Sequence, residues 1–90
     1  MRTPYLLRNA FRNMIEVLLY GNLKETVRKS IPDANTILLC DYVEGEHFRD
    51  LLNRLGLKLS DVGECYINNA LAEPEKQIRD RDTVELNQRV

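Results

Sequence analysis

The sequence is poor in the residues that characterise several common classes of protein. It contains no tryptophan, one histidine and two cysteines, and its apolar runs, such as Val17-Leu18-Leu19, are only a few residues long. A membrane span needs about 20 consecutive apolar residues, so none is predicted, and no N-terminal stretch suits a signal peptide. At 90 residues the chain has room for one domain, which excludes large multidomain enzymes.

The cysteines and the histidine form no pattern typical of a metal site or a catalytic thiol. Cys40 and Cys65 are far apart, lack a C-x-x-C spacing, and cannot complete a zinc site with His47 alone. Both lie in apolar, strand-like segments, which predicts buried, reduced thiols in a cytoplasmic protein. No metal and no cofactor are expected.

Other polar residues give little indication of enzyme chemistry, and no catalytic residue is predicted. His47 precedes a helical pattern and is interpreted as a surface residue rather than a general base. Asp41, Glu44 and Glu46 form either a hard-cation site or a solvated acidic turn, and we favour the turn because their spacing matches no EF-hand loop. The chain also lacks a phosphate-binding glycine loop.

Charge is distributed unevenly along the chain. The net charge is −1, which argues against a general nucleic-acid binder. Residues 1–31 nevertheless carry +4, whereas residues 32–90 carry −5. Residues 1–13 show no clear periodicity and are predicted to form a loose, basic lead-in. This lead-in either contacts phosphate or an acidic partner or is a solvated terminus.

The first half of the chain predicts two strands and a short helix. Residues 14–20 are rich in β-branched and aromatic residues and stop at Gly21-Asn22, so they are predicted to form the first strand. The two-residue period places Ile15, Val17 and Leu19 on its inward face. Residues 22–29 predict a short helix capped by Asn22, with Glu25 three residues later. A loop at Pro32 leads to a second strand over residues 36–40.

The second half predicts the main helix and the rest of a sheet. Phe48, Leu51, Leu52 and Leu55 form one apolar stripe, and Gly56 suits a left-handed cap. Residues 64–68 form a third strand, Asn68-Asn69 a tight turn, residues 71–77 a short edge segment, residues 80–82 a turn and residues 83–86 a closing strand. The prediction is an α+β fold with a mixed four- or five-stranded sheet and one main helix packed across it.

The order of these motifs resembles a known family over residues 14–90. The motifs are Leu19-Tyr20-Gly21, the helix ending at Leu55-Gly56-Leu57, the hairpin Tyr66-Ile67-Asn68-Asn69, and the closing residues 78–86. They resemble the β-grasp, ubiquitin-like family of small sulfur carriers, which includes the molybdopterin-synthase small subunit and the thiamine-pathway sulfur carrier. Asn69 and Arg81 stand where that family usually has glycines, and Arg81 is expected to need a different turn geometry.

The resemblance implies sulfur transfer only where a C-terminal Gly-Gly is present. The family adenylates that terminus and converts it to a thiocarboxylate, whereas this chain ends at Arg89-Val90. Residues 55–62 also resemble the ubiquitin-like domain associated with PIN-type ribonuclease domains. The alternatives are therefore a sulfur carrier or modifier, if the natural chain continues to Gly-Gly beyond Val90, and a nucleic-acid or ribonuclease-associated domain.

The favoured prediction is a non-catalytic, cytoplasmic protein-interaction module whose binding surface lies on the outer face of the sheet. Alternation along the first strand places Met14, Leu18 and Tyr20 on that face as exposed apolar groups, which often mark a partner surface. The alternative is that another segment, such as residues 1–13, covers this face. A protein partner is expected, and a membrane is not.

Overall fold

The computed structural model describes residues 13–90, so the predicted lead-in, except Asn13, lies outside the described residues. The described chain is an α+β domain with one mixed five-stranded sheet and one main helix, as the sequence predicted. Its elements in chain order are β1 (Met14–Leu19), α1 (Leu23–Val27), β2 (Ile37–Asp41), α2 (Phe48–Arg54), a 3₁₀ turn (Leu59–Asp61), β3 (Tyr66–Ile67), β4 (Ala70–Leu71) and β5 (Thr83–Leu86).

The strand order in the sheet is β2-β1-β5-β3-β4. The central strands β1 and β5 run parallel, with Val17 opposite Val84, and the remaining neighbours are antiparallel. A parallel pair requires a crossover connection, and here the intervening chain contains α2. The sheet is therefore mixed, with one parallel pair at its centre and antiparallel pairs on both sides.

One apolar core fills the space between the sheet and α2. Inward residues of the strands alternate with outward ones, and the predicted stripe of α2 is buried in the same cluster. Burial of this stripe is what stabilises so short a helix. The fully buried members from the strands, α2 and its C-cap residue Leu55 include Ile15, Val17, Leu51, Leu52, Leu55, Val84 and Leu86.

The two helices begin differently from each other. At α2 the backbone N–H of His47 donates to Asp50 Oδ2 at 3.0 Å, and this hydrogen bond holds the pKa of Asp50 below its usual value. The predicted left-handed cap at Gly56 is confirmed by its φ of +80°. At α1 the predicted side-chain cap is wrong, because Asn22 makes no side-chain capping bond and its backbone N–H donates to Gln88 Oε1 instead.

The predicted asparagine turn is confirmed, and two hydrogen bonds of the Asn68 side chain hold it against the start of β5. Asn68 and Asn69 have φ of +50° and +72°, which asparagine adopts more readily than most residues. Asn68 Nδ2 donates to Asp82 Oδ1 at 2.7 Å, and Asn68 Oδ1 accepts the Thr83 N–H at 3.0 Å. The edge strand β4 ends at Leu71, before Pro74, so it is shorter than the predicted segment over residues 71–77.

Arg81 occupies a conformation that favours glycine. Its φ is +70°, and its N–H donates to Met14 O at 2.9 Å, so the turn keeps a left-handed residue without a glycine. We expect Arg81→Gly to raise the free energy of unfolding by about 0.5–1 kcal/mol, because the Cβ strain is removed at some entropic cost. Urea denaturation measures this change. The matched control is Arg79→Gly, which changes a residue without a positive φ and should lower the free energy of unfolding. A lower free energy of unfolding in both variants would contradict the interpretation that Arg81 is strained.

Candidate interaction surface

The outer face of the sheet, turned away from α2, carries a row of side chains that crosses every strand. The strand registers align Ile37, Leu18, Glu85, Tyr66 and Leu71 in that row. Ile37 is 41% exposed and Leu71 is 52% exposed, and they lie at the two edges. The row is therefore apolar or aromatic except for Glu85.

The three residues predicted for this surface differ in their exposure. Tyr20 is 40% exposed, as predicted, and Met14 is partly buried. The expectation that Leu18 is exposed is wrong, because Leu18 is only 3% exposed. Its strand lies inside the sheet, where Ile37 and Glu85 flank it on either side. The binding role of these residues stays a prediction.

The centre of the outer face is closed to solvent. Beside Leu18, the carboxylate residue Glu16 is 1% exposed, and the Thr83 hydroxyl donates to Glu16 Oε1 at 3.3 Å. The predicted alternative, that residues 1–13 cover this face, concerns residues outside the described chain except Asn13. Surface available for a partner therefore lies toward the edges of the face and at its end beyond Tyr20.

A cleft of about 550 Å³ opens at that end of the outer face, where β1 and β5 finish. Tyr20 and Tyr66 contribute its aromatic walls, and Glu64, Asn87 and Arg89 contribute polar groups. Tyr66 belongs to β3, and Tyr20 directly follows the end of β1. Glu64 precedes β3 and is joined to this group because it accepts a hydrogen bond from the Tyr66 hydroxyl. The Tyr20–Tyr66 cleft thus combines rigid aromatic area with hydrogen-bonding groups.

The C-terminal residues build one side of the Tyr20–Tyr66 cleft. The Gly63 N–H donates to Asn87 O at 2.8 Å, and Asn87 Nδ2 donates to Glu64 O at 2.7 Å. Arg89 is fixed in the same way, because its Nε donates to Ser60 O at 2.8 Å. The segment after β5 is therefore held against residues 60–64 as part of the domain surface.

A neighbouring carboxylate holds the Tyr66 hydroxyl in the cleft. The Tyr66 hydroxyl donates to Glu64 Oε1 at 3.0 Å, and this interaction raises the pKa of Tyr66. Tyr66 thus stays a neutral hydrogen-bonding phenol at physiological pH. Aromatic side chains next to adaptable polar groups are typical of protein-binding surfaces.

The cysteines do not contribute to the cleft chemistry. Both are free and buried, as predicted. Burial raises the pKa of Cys40 to about 11 and also raises the pKa of Cys65. Since the thiolate is the reactive form, both thiols are protonated and unreactive near neutral pH.

The predicted solvated acidic turn is only partly correct. Asp41 and Glu44 are exposed, but the Glu46 side chain is 5% exposed and accepts from Arg54 Nε at 2.8 Å and Nη2 at 3.0 Å. Arg54 Nη2 also donates to Asp41 O at 2.6 Å. Within residues 13–90, no three His, Cys, Asp or Glu side chains are grouped so that they could hold a metal ion.

Two-residue alternation along β1 predicts Tyr20 but none of the other cleft residues. The same alternation over the predicted strand at residues 64–68 places Glu64 and Tyr66 on one face. The contribution of residues 87–89 had no local signal, because it depends on hydrogen bonds to residues distant in sequence.

Comparisons with known proteins do not assign the chain to a family. No family model matches it, and no match was found among curated proteins or among solved structures. No helix in the described part of the chain is long and apolar enough to cross a membrane.

Proposed function

We propose that this chain is a β-grasp, ubiquitin-like domain that acts as a non-catalytic protein-interaction module in the cytoplasm. The observation that carries the proposal is the Tyr20–Tyr66 cleft, which presents two tyrosines and several polar groups on the surface. Its partner surface is a protein segment, because such a segment offers both apolar side chains and amide groups for hydrogen bonding.

The topology supports the β-grasp part of the proposal. The mixed sheet with its central parallel pair and one main helix fits the arrangement that the sequence resemblance implied. The left-handed conformations of Asn69 and Arg81 also fit positions where the family usually has glycine. Although a different turn geometry was expected at Arg81, this residue adopts the left-handed conformation that glycine favours.

Two alternatives are less well supported. A sulfur carrier has a flexible segment soon after its last strand, whereas residues 87–89, which directly follow β5, are hydrogen-bonded to residues 60–64. A nucleic-acid-binding domain needs a basic surface, whereas residues 32–90 carry a net charge of −5 and Glu64 lines the cleft. An interaction module requires neither feature.

Quantitative affinity capture tests the proposal. We expect the double variant Tyr20→Ala/Tyr66→Ala to lose a specific set of co-purified proteins by about tenfold or more, because aromatic anchors dominate interface energetics. The matched control is Val43→Ala, which truncates an exposed apolar residue absent from the cleft lining and should retain that set. Circular dichroism verifies that each variant folds. Equal capture by all three proteins would contradict a binding role for the cleft.

A further inference from the structure

The edge strand β2 presents outward backbone groups at Ile37 and Leu39 that take part in no hydrogen bond within residues 13–90. The Leu19 N–H donates to Thr36 O at 2.8 Å, and the Tyr42 N–H donates to Asn13 O at 2.8 Å. In this register, residues 36, 38, 40 and 42 point their backbone groups toward β1. The backbone groups of Ile37, Leu39 and Asp41 therefore point away from the sheet.

This edge lacks the features that usually prevent strand pairing. Proteins protect exposed edges with lysine, proline, bulges or a covering segment. β2 contains no lysine or proline, its register with β1 is continuous over five residue pairs, and its only charged residue is the terminal Asp41. Within residues 13–90, only Asp41 O is used at this edge, where it accepts from Arg54 Nη2. Among the described residues, none hydrogen-bonds to the outward backbone groups of Ile37 and Leu39, where another strand can therefore be added.

We propose that β2 pairs with β2 of a second copy of this chain, which joins two sheets across a twofold axis. Antiparallel pairing about Leu39 places Leu39 opposite its own copy and Ile37 opposite Asp41 of that copy. Because Ile37, Leu39 and Asp41 all direct their backbone groups outward, this register makes them hydrogen-bonded pairs. Arg54 already donates to Asp41 O. The Asp41 N–H can nevertheless donate to the Ile37 carbonyl of the second copy.

The charges along the strand are compatible with this twofold register. Like charges directly opposite each other destabilise strand pairs, and Asp41 is the only charge in β2. It falls opposite the apolar Ile37, so no carboxylate faces another. The exposed Ile37 side chain also continues the apolar row of the outer face toward the second copy. A strand of this neutral, apolar composition therefore accepts its own copy without repulsion.

The contact is small, so association should depend on concentration. Two five-residue strands bury less surface than the roughly 1,200–2,000 Å² of a standard stable interface. We therefore expect a dissociation constant on the order of 10⁻⁴ M. Pairing through β2 leaves the Tyr20–Tyr66 cleft at the end of β1 and β5 accessible, so self-association is distinguishable from partner binding.

Sedimentation velocity over a concentration series tests the proposal. We expect the wild-type chain to shift from monomer to dimer as its concentration rises toward about 1 mM. Ile37→Asp places a carboxylate opposite Asp41 of the second copy and should weaken the dimer at least tenfold. The double variant Ile37→Asp/Asp41→Lys places opposite charges in register and should restore dimerisation. Circular dichroism confirms folding, which is expected because Ile37 and Asp41 are exposed.

A control at the opposite edge makes the result specific. Leu71→Asp adds the same charge to an exposed residue of β4 and should leave the dimer unchanged. A wild-type monomer at every concentration would overturn the proposal and leave β2 to another occupant, such as a strand of a different protein. Dimerisation that survives Ile37→Asp, is lost with Leu71→Asp, or is not restored by the charge exchange would also overturn it.

Discussion

We expect Arg54→Ala to lower the free energy of unfolding by about 3 kcal/mol, because the substitution leaves the buried Glu46 carboxylate without its cation. The Glu46 side chain is 5% exposed, and both of its oxygens accept from Arg54. The same guanidinium holds Asp41 O, so the change also releases α2 from the end of β2. Glu46 raises the pKa of Arg54, which keeps this cation charged. Urea denaturation at neutral pH measures the loss.

Two comparisons separate the buried charge from general effects on α2. Arg49→Ala removes an arginine of the same helix whose partner, Glu75, is 68% exposed, and we expect a change below about 1 kcal/mol. The double variant Glu46→Met/Arg54→Met removes both charges and should recover most of the stability, because neither is then left unpaired. Equal losses from Arg49→Ala and Arg54→Ala would contradict the special role of the Glu46–Arg54 pair.

Local patterns in the sequence predicted most of the fold. The helix stripe at Leu51, Leu52 and Leu55 and the alternation of Ile15, Val17 and Leu19 each follow from a backbone period, and the structure buries them as expected. Turn residues were also predictable, because Asn68-Asn69 and Gly56 favour positive φ. These predictions succeeded because each depends on a few neighbouring residues.

Interactions between distant residues account for what the sequence did not reveal. Glu46 was interpreted as solvated because its neighbours Asp41 and Glu44 are acidic, yet its environment depends on Arg54, which α2 carries to the end of β2. Similarly, the Asn22 N–H, which a capping box would pair with the Glu25 side chain, donates to Gln88 from the other end of the chain. A local motif cannot represent a contact whose partner is brought near only by the completed fold.

The candidate surface shows the same division between local and tertiary information. Strand alternation correctly placed Tyr20 on the surface, but alternation assigns a side chain to a face of the sheet and does not determine whether that face is open. Leu18 and Glu16 lie on the outer face and are nevertheless buried. Burial of Leu18 therefore changes its expected role from a contact residue to a structural one, which a single charge substitution can test.

We expect Leu18→Asp to lower the free energy of unfolding by at least about 3 kcal/mol. The change removes a buried leucine, which alone costs about 2–5 kcal/mol when truncated, and places a carboxylate where water is excluded. Glu16 and Glu85 belong to the same face, so the new charge also has acidic neighbours. A domain of this size has only about 5–13 kcal/mol of stability, so the loss is a large share of it.

Thermal and urea unfolding followed by circular dichroism measure the effect, with Ile37→Asp as the matched control. Ile37 lies directly opposite Leu18 in the β1–β2 register but is 41% exposed, so its carboxylate remains hydrated and should change stability by less than about 1 kcal/mol. The two variants add the same charge to neighbouring positions of one face and differ in burial. Leu18→Asp with wild-type stability would mean that the position is open in solution, and would restore Leu18 as a contact residue of the interaction surface.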